Sequence, residues 1–132
     1  MRSGSLLFLV GILGCGSAHD AAVRSVNTAG TVLDAAEPGL AAAERISQKL
    51  ALTNAPSEAE ARLALERVAK AYHVAWVLYR TAREAEILAM GALRAEDAGV
   101  GSSLESATAV AEMLRAEAAF MAAVAELSKA GQ

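Results

Sequence analysis

Apolar or small residues recur at Ala22, Val26, Ala29, Leu33, Ala36, Leu40, Ala43, Ser47 and Leu50, alternately four and three apart. That spacing returns one side of an α-helix to the same direction at every step and is the seam of helix-on-helix packing. A second seam runs through Leu65, Val68, Tyr72, Ala75, Tyr79 and Ala82. A third runs through Leu104, Ala107, Ala111, Leu114, Ala118, Met121 and Ala125, widened by Val110, Phe120, Val124 and Leu127. No useful stretch of alternating, strand-type pattern competes with these seams. Alanine supplies 33 of the 132 residues, so the helices bury little volume each and can approach closely.

The breakers divide the pattern. Thr53-Asn54-Ala55-Pro56 reads as a turn, and Ser57 with Glu60 as a capping box opening a second helix of about forty residues. Gly99-Val100-Gly101 ends that helix, and Ser102 with Glu105 opens the third, to about Lys129. The first helix is predicted from about Asp20, as N-cap, to Leu52. Pro38-Gly39 falls inside it, where a kink or a tight break between nearly collinear helices is expected. Arg62, Glu66 and Lys70, four apart, mark a solvated face. Short connections between long helices predict an all-α fold, an elongated antiparallel up-down bundle or hairpin of three to four helices, over residues 20–132.

The N-terminus reads differently. Arg2 precedes an apolar run of eight residues, Leu6 to Leu13, broken only by Gly11. A bilayer span needs about 20 such residues, whereas a signal-peptide core needs fewer. The run ends on Cys15, the only cysteine of the chain. A lone cysteine forms no internal disulfide.

Ile12-Leu13-Gly14-Cys15 resembles the lipobox of bacterial lipoproteins, with an aliphatic residue three before the cysteine and a small one just before it. Leu13 departs from the small or β-branched residue usual at that position. The resemblance covers only the first 15 residues. It implies a signal peptide over 1–14, cleavage before Cys15 and a lipid on Cys15. Two or three acyl chains at about 0.8 kcal/mol per buried methylene hold such a protein to a membrane. Residues 15–19 then form the lipidated cysteine and a short tether, reaching about 18 Å at most. Gly16 in place of an aspartate favours the periplasmic face of an outer membrane. An ordinary secretory signal cleaved nearby, leaving a soluble exported protein, is the competing reading.

The chemistry-bearing residues are few. The net charge is −3, with no cluster of Lys and Arg, which gives the chain no electrostatic reason to bind nucleic acid. There is no Glu-x-x-His pair of the di-iron type, no His-Glu-x-x-His and no cysteine pair, so no metal or other cofactor is expected. Gly99-Val100-Gly101-Ser102-Ser103 lacks the lysine and the preceding strand of a phosphate loop. His73 is expected on the polar side of helix two, and His19 in the tether. Glu84 and Glu86 should point to different faces, and Glu96 and Asp97 to a frayed, solvated helix end. The distinctive feature is the cluster Tyr72, Trp76 and Tyr79, within two helical turns on one broad side. It is read either as core between alanine faces or as a contact site for a partner. The function expected from all this is non-enzymatic: a lipid-anchored envelope protein serving as a structural or interaction module. Its partners would be a membrane through Cys15 and either another envelope protein or a second copy of itself. A phage-encoded envelope lipoprotein, acting in host lysis as a spanin-like subunit or in superinfection exclusion, is the alternative.

Overall fold

The computed structural model describes residues 14–130, and over that range the chain is all-α with three helices: α1 Gly14–Asn54, α2 Glu58–Asp97 and α3 Ser103–Ala130. The signal peptide expected over 1–14 lies, but for Gly14, outside the described residues. The helices are joined where the breakers stand. Ser57 caps α2 with its hydroxyl accepting from the Glu60 amide at 3.2 Å. At the far end Gly99 takes φ +76°, and the amides of Val100 and Gly101 both donate to the Ala95 carbonyl at 3.0 Å. That left-handed residue closes the orphan carbonyls of α2. Ser102 and Glu105 then make a reciprocal capping box, amide to side chain at 3.1 and 3.4 Å.

α1 departs from expectation in two ways. It begins at Gly14, so Asp20 is an exposed residue within the helix, not its N-cap, and the expected 15–19 tether is helical. Five residues of helix rise about 7.5 Å, less than half the extended reach. It also passes through Pro38 as one 41-residue helix without a break. Pro38 and Gly39 are exposed, while Leu33 and Leu40 on either side are buried in one core cluster. Burial of two leucines at about 1.5–3 kcal/mol each can hold the helix across one missing hydrogen bond.

The seams of α1 and α2 pack as their spacing requires, except that Leu50, the last member of the α1 seam, is 55% exposed. Cross-contacts descend along α1 as they ascend along α2: Ser47 with Tyr72, Glu44 with Trp76, Glu37 with Tyr79. The core is in two parts. Leu33, Leu40, Tyr72, Ala75, Tyr79, Ala82 and Phe120 form one, and Val26, Ala29, Ala89, Leu93, Val110 and Met113 the other.

The third seam is corrected by the structure. Leu104, Ala107, Ala111, Leu114, Ala118, Met121 and Ala125 are all exposed, Leu104 by 75%. α3 buries Val110 and Phe120, which were expected to widen that stripe, together with Ser106 and Met113; Val124 and Leu127 of the same widening pack beside them with Ala116 and Ala123. Two neighbouring stripes of α3 are apolar. The one carrying Met113 and Phe120 wins because Ala75, Ala82 and Ala89 on α2 leave volume that alanines could not fill.

Candidate functional site

The aromatic cluster is built into the α1–α2 seam. Tyr72 and Tyr79 are buried and Trp76 is half-buried. Each ends its polar atom on α1. The Tyr72 hydroxyl shares a hydrogen bond with Ser47 Oγ at 3.1 Å, the Trp76 indole N–H donates to Glu44 Oε2 at 2.7 Å, and the Tyr79 hydroxyl donates to Glu37 Oε2 at 2.9 Å. The rings meet edge-on: Trp76–Tyr79 at 5.8 Å and Tyr79–Phe120 at 5.5 Å between centroids. Edge-to-face contact with satisfied polar ends is how large rings sit stably in an interior.

Tyr79 continues into a charged network. Arg83 Nε donates to its hydroxyl at 2.9 Å, Arg83 Nη1 donates to Glu86 Oε2 at 2.8 Å, and Arg83 Nη2 pairs with Asp34 of α1. The hydrogen bond with Tyr79 contributes most to holding the Arg83 pKa above its ordinary value, against burial, with Asp34 and Glu86 adding to it. Burial pushes the Tyr79 pKa up; Arg83 opposes that and Glu37 assists it. Glu86 is 8% exposed and occupies a seam position, seven residues beyond Tyr79 and seven before Leu93. Opposite it stands Gly30. A Cβ at Gly30 would lie 2.5 Å from Glu86 Oε1, so the carboxylate fits there because glycine has no side chain. Glu117 of α3 faces the same region. Burial raises its pKa first, and repulsion from Glu86 second. Gly30, Glu86 and Glu117 thus form a polar belt between the two apolar cores.

A smaller cluster closes the other end. His19 Nε2 lies 2.9 Å from Asp97 Oδ1, and Nδ1 lies 3.4 Å from Glu96 Oε2. Ser106 Oγ donates to the same Glu96 oxygen at 2.5 Å. A cavity of about 360 Å³ opens among His19, Ala22, Leu93, Glu96 and Ser106. His19 is therefore part of α1, and Glu96 is held between two helices, where the sequence pointed to a tether and a frayed end. His73 and Glu84 are exposed, with Glu86 on the opposite, buried side.

These groups are spent on one another. No buried side-chain nitrogen or oxygen among the described residues lacks a hydrogen-bond partner. Nor are three His, Cys, Asp or Glu side chains there grouped to hold a metal ion. Ser106 addresses a carboxylate directly, not through an imidazole, which differs from a nucleophile–base pair. The arrangement fixes helix register and orientation.

The network residues Gly30, Asp34, Glu37, Glu44, Arg83, Glu86 and Glu117 escape a reading for catalytic motifs. The signal was periodic: Gly30, Glu37 and Glu44 are seven apart on α1, as are Tyr72, Tyr79 and Glu86 on α2.

A groove of about 620 Å³ lies where α1 meets α2, between Leu50 and Ala51 on one side and Leu63 and Ala64 on the other. The chain matches no family model, no curated protein and no solved structure.

Proposed function

We propose that the chain is a bacterial envelope lipoprotein, held to a membrane by lipid on Cys15, whose helical body is a non-enzymatic structural or protein-interaction module. The observation that carries this reading is the sole cysteine at the end of the Leu6–Leu13 run, within Ile12-Leu13-Gly14-Cys15. Two further features support it. No described helix is long and apolar enough to cross a membrane, which is compatible with a lipid anchor. The buried polar side chains serve helix pairing, in keeping with an elongated antiparallel up-down bundle that presents surface rather than a reactive pocket. Gly16 favours the outer membrane.

Metabolic labelling with a fatty-acid analogue in a bacterial host tests the anchor. Wild type becomes labelled and partitions with membranes, while Cys15→Ala does neither. A wild-type protein that stays unlabelled and freely soluble ends the lipoprotein reading.

A further inference from the structure

The two most exposed large apolar side chains among the described residues are Val100, at 83%, and Leu104, at 75%. Both stand at one end of the body, where α2 turns into α3. Scattered apolar residues on a surface are ordinary. This pair is set apart by its level in the molecule. His19 of α1 lies 2.9 Å from Asp97, the last residue of α2. Ala18 and His19 line one cavity with Ser103, the first residue of α3. Cys15 precedes His19 by four residues of continuous helix, a rise of about 6 Å. The helix leaves no slack between residue 15 and the turn, so a surface that holds Cys15 lies beside Val100 and Leu104 as well. From this end α1 and α3 run away and α2 arrives, which makes the turn an extremity of the body.

We infer that the α2–α3 turn rests on the same lipid surface that takes the lipid of Cys15, with Val100 and Leu104 at the boundary between headgroups and acyl chains. The inference rests on the lipid-anchor reading and adds a second point of contact to it. Two side chains do not draw a protein from solution, but a body already tethered one helical turn away presents them at high effective concentration. Two contacts also fix what a single lipid leaves free, the tilt of the body, so that the helices rise from the membrane instead of lying along it. Charge selects the kind of surface. Within residues 15–23 and 95–106 the only basic residue is His19, against Asp20, Glu96, Asp97 and Glu105, and Arg24 and Arg94 lie further from the end. An acidic end gains nothing from anionic headgroups, so the surface it fits is a zwitterionic one.

The test takes the full chain as a bacterial host processes it, reconstituted into phosphatidylcholine vesicles with brominated acyl chains, and reads quenching of tryptophan. Trp76 is the only tryptophan of the chain and supplies the baseline. Val100→Trp and Leu104→Trp each add emission that the bromines quench about twofold. Ile87→Trp, at a position 68% exposed and about 15 Å before the end of α2, adds emission that stays unquenched. Adding Val100→Asp to Leu104→Trp cuts the quenching about threefold while the lipid keeps the protein on the vesicle, because the two side chains act together. All these positions are exposed, and helicity confirms that each variant folds. A vesicle-bound protein whose tryptophans at 100 and 104 stay unquenched overturns the contact. So does equal quenching at 87, 100 and 104, which means a body lying along the bilayer. Stronger quenching when about a third of the lipid is phosphatidylglycerol overturns the zwitterionic assignment. A wild type with no lipid mass on Cys15 and no vesicle binding ends the anchor reading and this contact with it, a result distinct from a bound protein whose turn stays in water.

Discussion

Gly30 runs against helix propensity. Glycine inside a helix costs about 1 kcal/mol relative to alanine, and α1 is otherwise rich in alanine. The missing Cβ is occupied by the Glu86 carboxylate, whose other oxygen is held by Arg83. Glu86 cannot swing aside without loosening that bond, which ties Arg83 to Tyr79 and Asp34 as well. Gly30→Ala should therefore fail to stabilise the wild type and should lower its melting temperature. In a Glu86→Ala background the same substitution should gain about 1 kcal/mol, the plain propensity difference. The change of sign between backgrounds, read from thermal melts of all four proteins, is the expected result. An equal gain in both would mean the glycine has nothing to do with the carboxylate. Glu86 was hard to read from sequence for the same reason that it matters. An acidic residue at a seam position looks like an interruption until the glycine and arginine that accommodate it are seen in space.

At the scale of the helix, α1 and α2 show how far periodicity reaches. Their seams were legible from spacing, the exposed Leu50 excepted, because each follows one regular heptad stripe. α3 has two, and binary pattern cannot rank them. Volume does: the alanines it meets on α2 favour Phe120 and Met113. The start of α1 was misplaced because Asp20 is a good cap in isolation, while Gly14 to His19 carry no strong breaker. The face assignment of α3 gives a direct test. Phe120→Ala should cost about 3–5 kcal/mol by leaving a cavity against Tyr79, whereas Leu114→Ala on the outer stripe should cost less than about 1 kcal/mol. Denaturant unfolding of the two variants distinguishes them, and the opposite order would return α3 to the face its regular heptad suggests.

Taken whole, the molecule is two apolar cores separated by the Gly30–Glu86–Glu117 belt, and the belt makes its stability depend on pH. Glu117 has a raised pKa in the folded protein, from burial and then from Glu86. The folded chain thus keeps that proton to a higher pH than the unfolded chain does. Protonated Glu117 adds stability below the ordinary carboxylate range, and that contribution is lost as pH rises through the raised value. Glu117→Gln, which mimics the protonated form, should melt higher than wild type at neutral pH, and the gap should close as pH falls to about 4. A gap that stays constant with pH would show that ionisation of Glu117 is not its source. Gly30 and Glu86 each continue a seven-residue period, but the belt as a unit could not be assembled from the sequence, because its members come from three helices and none is near another in the chain. One further property belongs to the whole length. Residue 15, the proposed attachment point, and residue 51, in the wall of the tip groove, lie on one uninterrupted helix, about 54 Å apart along its axis. Tension applied at one end is carried to the other through a single column of backbone hydrogen bonds, with no joint to absorb it. Pro38 removes one rung of that column on its exposed side, so a load large enough to deform the rod would find its yield point there, about 35 Å from residue 15 and about 20 Å from residue 51.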